Sequence, residues 1–262
     1  MKINIDELAN RQLNDYRFVN PGTTFFDQDF HIDVKTAYTV QDAVARLRVN
    51  QGEKVIGYKV GCTGPGTTKL FGMNGPIRGT LFEDEIHTNG TLLEYRSFYN
   101  LAVEAEMAFE IGENNQIISV FPIIELHNFV FRGPKKTLSE LIANNGLNKG
   151  FILSEKRWRR APEFYSEQSV ISLEVNGSII DSGKLWSMPG GPSSSLTWLI
   201  RHLTEYNLKL SKGAIVLGGT ALGLFRVKPG DKITVNIDGQ QTVHCAVTVS
   251  YTHLTLPTIL RV

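Results

Sequence analysis

From Lys54 onward the chain is a succession of short runs rich in β-branched residues and punctuated by glycine: 55–58 (Val-Ile-Gly-Tyr), 101–111, 117–130, 170–175 and 233–237. Runs of this length bury apolar surface only by pairing into sheets, so the sequence predicts a sheet-rich core. Two turn signals support it. Asn176-Gly177 lies between Ser172-Leu-Glu-Val175 and Ile179-Ile180, the pattern of a two-residue β-hairpin. Lys228-Pro-Gly-Asp231 turns the chain into a further strand, and Asp238-Gly239 turns that strand back.

Helical spacing appears elsewhere. Residues 3–18 (Ile3, Leu8, Leu13, Phe18) and 40–49 (Val40, Ala43, Val44, Leu47) predict two N-terminal helices, read as a cap on the core. Residues 193–206, opened by Pro192 and a run of serines, predict a third. With neither repeat nor low-complexity linker, the expected division is a helical segment over 1–52 and a catalytic domain over 53–249. Residues 250–262, including Tyr251-Thr-His-Leu-Thr-Leu-Pro257, break the strand pattern and read as a non-native tail, so they are left out of the fold reading.

Composition narrows the function classes. A 262-residue chain with 42% hydrophobic content is long enough for one large domain or one domain with a small appendage. Its 27 Lys+Arg against 26 Asp+Glu leave a formal charge of +1, which gives no field favouring nucleic acid or an anionic membrane. The expected partner is a small molecule. Cys62 and Cys245 lie far apart and outside any CxxC pair, which argues against a disulfide framework or thiolate zinc site and fits a reducing compartment. No run approaches the eighteen apolar residues of a membrane span and the N-terminus lacks an apolar leader core, so the expected location is the cytoplasm.

The residues that carry chemistry begin with Ala102-Val-Glu-Ala-Glu-Met107. In a strand, residues i and i+2 share a face, which sets Glu104 and Glu106 side by side. Two adjacent carboxylates on an apolar strand require a cation or a Lys/Arg, and oxygen-only ligation suits Mg²⁺ or Mn²⁺. The alternative is a solvated strand face, which Glu110 would continue. A third acid, Glu125, is embedded in Phe121-Pro-Ile-Ile-Glu-Leu126; its alternative role is a buried ion pair with Arg132 or Lys59. Lys59 is the lone charge of Ile56-Gly-Tyr-Lys-Val-Gly61, fitted either to neutralise carboxylates or to act as an acid/base.

Other motifs carry less. His87 and His127 could be bases or ligands, but they lack a metal-binding spacing such as His-x-x-x-His or His-Glu-x-x-His, and lone histidines are more often structural. Gly64-Pro-Gly-Thr-Thr-Lys69 is not a GxxxxGK[ST] phosphate loop. Arg157, Arg159 and Arg160 with Trp158 read as a solvated loop. Gly218-Gly219-Thr220 either presents amides and a hydroxyl to a carboxylate or forms a plain tight turn.

Taken in order, Lys59-Val-Gly-Cys-Thr63, Gly79-Thr-Leu-Phe-Glu-Asp84, Glu104-Ala-Glu106, Ile124-Glu125, Ala143-Asn-Asn145 through Gly150-Phe151, Gly191-Pro192 and Gly218-Gly-Thr-Ala-Leu-Gly223 resemble the 2-keto-4-pentenoate hydratase group. That group, with the 2-oxo-3-hexenedioate decarboxylases, lies in the fumarylacetoacetate hydrolase superfamily, and the resemblance spans about residues 40 to 249. It implies an α+β fold, a mixed β-roll with flanking helices, and a homo-oligomer. It further implies Mg²⁺ or Mn²⁺ on Glu104, Glu106 and Glu125, with Lys59 and Asp84 as catalytic residues. Asn145, Gly219 and Thr220 would bind a small 2-oxo or 2-hydroxy acid substrate. The chain departs from the pattern in three places. Ile77-Arg78 stand where an acid is expected before the Gly-x-Leu segment, Asn144 stands where Asp is common, and the interval from Glu106 to Glu125 is short. The implied reaction is hydration of a 2-hydroxy-2,4-dienoate. Decarboxylation of a 2-oxo-3-enedioate, C–C hydrolysis of an acylpyruvate, and a catalytically silent metabolite-binding role stay open at this stage.

Overall fold

The computed structural model describes residues 4–20, 22–25, 30–64, 75–128, 131–133, 135–155 and 168–248. The Gly64–Lys69 motif beyond Gly64, the Arg157–Arg160 cluster, residues 129–130 and the segment 250–262 fall outside them. Two helices open the chain, α1 (Ile5–Arg17) and α2 (Val34–Asn50). Each starts on a side-chain cap that satisfies an orphan amide: Asn4 accepts from Glu7 N, and Asp33 accepts from Thr36 N at 2.6 Å. The Asp33 cap explains why α2 begins six residues ahead of the apolar run at Val40. Phe18, expected on the buried face of the first helix, is instead its C-terminal cap residue and 81% exposed.

Two sheets follow. The larger runs in the order β2 (Ile77–Phe82), β1 (Val55–Gly61), β10 (Ile215–Leu217), β5 (Leu101–Ile111), β6 (Ile117–Asn128), β7 (Asn148–Leu153) and β3 (Ile86–Thr88), with β11 (Phe225–Arg226) also paired to β5. The smaller runs β4 (Leu92–Leu93), β13 (Gln240–Val247), β12 (Lys232–Ile237), β8 (Val170–Val175) and β9 (Ser178–Lys184). Parallel pairs (β1 with β10, β3 with β7, β13 with β4) mix with antiparallel ones, so the architecture is α+β, as expected. Both predicted tight hairpins form: Asn176-Gly177 and Asp238-Gly239 each take two consecutive positive φ values, the geometry that matches strand twist.

Period-two alternation decides where the site lies. The odd residues of β5, Val103 to Phe109, pack in one core with Ile171, Leu173, Ile233, Val235 and Val243 of the smaller sheet. Its even residues therefore face away from that core, on the side where Phe121, Ile123, Phe151 and Leu217 make a second apolar cluster. A third cluster joins α1 and α2 to Ile77 and to α3 (Leu138–Ala143).

Arg78, fully buried, projects from β2 on the face opposite Lys59 and pairs with Asp42 of α2 at 2.7 Å, close to the rings of Tyr38, Tyr58 and Tyr206. This ion pair ties the N-terminal helical segment to β2. Beside it, His202 of α4 (Pro192–Glu205) stacks on Trp198, and burial, then Arg78 and Arg201, pulls its pKa down to about 4. A histidine near 6.5 when unfolded and about 4 when folded is protonated first in the unfolded state. Its stabilising contribution is complete above pH 6.5 and is lost as pH falls towards 4. Between pH 7.5 and 4.5 the wild type should lose about 1–2 kcal/mol more unfolding free energy than His202→Phe, after allowance for solvent screening. Equal losses in denaturant titrations of the two proteins would refute this.

Candidate active site

Four strands carry the cluster. Glu104 of β5 stands directly opposite Glu125 of β6 in the antiparallel register, with Glu106 opposite Ile123 and Ala102 opposite His127. The short connection between Glu106 and Glu125 is what makes this pairing: β5 and β6 form a direct hairpin, and its register brings the third acid against the first. Like charges directly opposite destabilise a strand pair, so the arrangement needs cations close by. Lys59 of β1 supplies one, its Nζ donating to Glu125 Oε1 at 2.5 Å and reaching the Gly146 carbonyl at 3.5 Å. The lysine is buried in the middle of its strand, with Gly57, Tyr58 and Val60 buried around it.

The side chain has room to lie there because position 79 is glycine: a Cβ at Gly79 would stand 2.7 Å from Lys59 Cγ and 2.9 Å from the Asn145 carbonyl oxygen. Asn148 at the start of β7 donates a second hydrogen bond to Glu125 Oε1 at 2.7 Å. The Gly219 amide donates to Glu106 Oε1 at 2.6 Å, and Gly219 holds φ +90°, a conformation glycine adopts without strain.

The electrostatics follow from burial competing with neighbours. Burial works to lower the Lys59 pKa, yet Glu125, then Glu104 and Glu106, outweigh it and leave it raised. For Glu125 burial works to raise the pKa, and His127 and Lys59 overcome it, so this carboxyl stays ionised far below the usual range. Glu106 goes the other way: burial and then the Glu125 charge push it well above the ordinary value. Burial opposes a charge on His127, but Glu125 and Glu104 raise its pKa overall.

The expected residues divide into two sets. Lys59, Glu104, Glu106, Glu125 and Gly219 come together. Asn145 does not present its amide to the cluster: it donates to Thr80 O at 2.8 Å and accepts from Thr80 N at 2.6 Å, which clamps the turn after α3 to β2 and so positions the Gly146 carbonyl. The Thr220 hydroxyl is likewise engaged internally, donating to Ala105 O and accepting from Leu222 N. Asp84 stands apart, its side chain 59% exposed and 3.8 Å from Arg48, in a charged group that includes Glu53 and Glu85.

Two members, His127 and Asn148, lie outside the set of site residues expected from the sequence, where a lone His127 reads as structural. His127 is brought in by the same i, i+2 logic applied to Glu104 and Glu106, here counted from Glu125. No local signal marks Asn148.

Glu104 is the cluster's opening, with 20% of its side chain exposed, whereas that of Glu125 is fully buried. The donor set also fits a small cation. One oxygen of Glu104, one of Glu125 and a ring nitrogen of His127 lie within 4.8 Å of one another. His127 Nε2 faces Glu104 Oε2 at 2.9 Å and Glu125 Oε2 at 3.2 Å, while His127 Nδ1 is buried without a hydrogen-bond partner. Such a buried polar group is costly unless something polar meets it.

No family model matches the chain. Among characterised proteins, it is 26% identical over 226 residues to the TodF product hydratase of Pseudomonas putida, covering 82% of this chain and 84% of that protein. It is 27% identical over 241 residues to the 4-oxalocrotonate decarboxylase of Pseudomonas sp. (strain CF600), covering 86% and 85%. Among solved structures, the 4-oxalocrotonate decarboxylase of Pseudomonas putida G7, complexed with magnesium and adipate, superposes with a TM-score of 0.84 at 22% identity, covering 94% of this chain and 99% of that one. The chain shares the fold of that decarboxylase. In sequence it resembles the 2-keto-4-pentenoate hydratase and oxalocrotonate decarboxylase group, as its motifs implied.

Proposed function

We propose that the protein is a metal-dependent hydro-lyase that adds water to a 2-hydroxy-2,4-dienoate and yields a 4-hydroxy-2-oxo acid. The observation that carries this reading is the buried Lys59 ammonium set against Glu104, Glu106 and Glu125 on one sheet face that opens at Glu104. Glu104, Glu106 and Glu125 are the carboxylates that would hold Mg²⁺ or Mn²⁺, the class of ion that magnesium represents in the related decarboxylase structure. A divalent cation there supplies Lewis-acid polarisation of a 2-oxo group and charge stabilisation of its enol form.

The chain's own groups do the rest. Lys59 keeps its proton and points a cationic donor into the cluster, where it anchors the substrate carboxylate or hands a proton to an adjacent oxygen. Glu106 is fixed at one oxygen by the Gly219 amide, which leaves the other oxygen for the metal or for a substrate proton. A proton leaving the 2-hydroxyl and one arriving at C5 convert the dienol to a 3-en-2-one. Water then adds its hydroxyl at C4 and a proton at C3. In the same reading, the surrounding apolar residues Phe121, Ile123 and Phe151 exclude bulk water, which strengthens each charge interaction. The enzyme acts in the cytoplasm as a homo-oligomer.

The likeness to decarboxylases is as strong as that to hydratases, and it supports a second reading in which a 2-oxo-3-enedioate loses CO₂ from the same enol chemistry. The deciding experiment is a panel of 2-hydroxydienoates, 2-oxo-3-enedioates and acylpyruvates with Mg²⁺ or Mn²⁺, followed by loss of dienol absorbance and by CO₂ release. Metal-stimulated loss of 2-hydroxypenta-2,4-dienoate without CO₂ is the expected result. CO₂ release from the dioate as the faster reaction would replace the first reading by the second, and no turnover on any member would sink both.

A further inference from the structure

Lys59 is committed to Glu125, Arg78 to Asp42, and Arg48 to Glu53 and Glu85. A different cation stands at the open end of the carboxylate face. Past the end of β10, β11 pairs with β5, setting Phe225 opposite Val103 and Arg226 opposite Ala102. Phe225 packs with Val103 into the core between the sheets. Its neighbour Arg226 therefore takes the other face, that of Glu104 and Glu106. Antiparallel pairing sets Arg226, Ala102 and His127 in one row across β11, β5 and β6, and Glu104 is the next residue of β5 on that face. Strand spacing and rise put the Cα atoms of Arg226 and Glu104 about 8 Å apart, within the reach of an arginine side chain. Arg226 is exposed while Ala102 and His127 are buried, so the row leads from the covered cluster out to solvent.

We infer that Arg226 recognises a second carboxylate at the far end of the substrate, so that the preferred substrate is a dicarboxylic 2-hydroxydienoate or 2-oxo-enoate rather than a monocarboxylic one. This rests on the proposed metal-dependent function, in which the first carboxylate and the oxygen on C2 stay at the acid cluster. An acid held there and extended along the same face brings its far carboxylate to Arg226, where a guanidinium takes it by two parallel N–H···O bonds. Charge requires such a partner. A second carboxylate on a face that already carries Glu104, Glu106 and Glu125 is repelled unless a cation receives it. Because Arg226 is exposed, salt and water weaken the interaction, and the discrimination it gives is about tenfold rather than several orders of magnitude.

The test is calorimetry on the full chain with Mn²⁺, comparing 2-oxoadipate with 2-oxohexanoate. These acids share the chelating head and the chain length and differ only in the second carboxylate. The wild type should bind 2-oxoadipate about tenfold tighter, and the ratio should shrink as ionic strength rises. Arg226→Gln should lose most of that ratio, and Arg226→Lys should keep part of it, because the charge stays while the two-pronged geometry goes. A merely structural role for Arg226 would weaken both acids alike and leave the ratio unchanged. Equal affinity of the wild type for the two acids overturns the inference and leaves the metal-dependent function standing. So does a preference that survives in Arg226→Gln, which would give the second carboxylate to another group. Wild-type protein that binds neither acid in the presence of Mn²⁺ overturns the inference and the function together. The wild-type ratio needs no variant to fold, so a destabilised Arg226→Gln leaves the proposal open to refutation.

Discussion

Lys59→Met should lose turnover by about 10³-fold and cost about 3–5 kcal/mol of stability, the largest combined effect of any single change in the protein. Methionine keeps much of the side-chain volume, so the loss is electrostatic. With the ammonium gone, Glu125 is a fully buried carboxylate facing Glu104 across the hairpin, with Asn148 and His127 as its remaining partners. A divalent ion should return part of the stability, since a ligand at about a hundred times its Kd contributes about 2.7 kcal/mol. Denaturant unfolding with and without Mn²⁺, alongside steady-state kinetics, measures both effects. A variant as stable as wild type without metal would show that Lys59 does not hold the carboxylates together.

Glu104→Gln should separate folding from function in the opposite way. Glu104 is the cluster's least buried acid, and the swap removes repulsion with Glu125 as well as attraction to His127, so stability without metal should change by less than about 1 kcal/mol. Cation affinity and turnover should each fall by at least about 100-fold if Glu104 is a metal ligand, because its carboxylate is lost. Calorimetry with Mn²⁺ and oxalate, which mimics a chelating 2-oxo acid, reads the binding directly. Turnover within tenfold of wild type at equal metal would remove Glu104 from the site.

Much of this was legible in the chain. The alternation over Ala102–Met107 sets Glu104 and Glu106 on one face in any strand, and the isolated charges Lys59 and Glu125 in apolar runs announce that each needs a partner. The tight hairpins at Asn176-Gly177 and Asp238-Gly239 formed as expected because few other residue pairs accept two consecutive positive φ values at low cost. Asp84 and Thr220 show the limit. Both lie in motifs that match the group, yet Asp84 is exposed beside the buried Arg48, and the Thr220 hydroxyl is used by the backbone of β5 and its own turn. A motif records which residues are present but not which partner reaches them first.

The sequence by itself determined the class of element, the face each side chain takes within its own strand, and the need to neutralise buried acids, because these depend on local periodicity and on the cost of burying charge. Only the tertiary structure decided which charges meet. Register between β5 and β6 put Glu125 against Glu104 and brought His127 diagonal to Glu104, and the parallel pairing of β1 with β10, beside β5, carried Lys59 across to them. Strand pairing is a non-local choice, made by the fit of whole faces, and a shift of one residue would have turned the same acids towards the apolar core between the sheets.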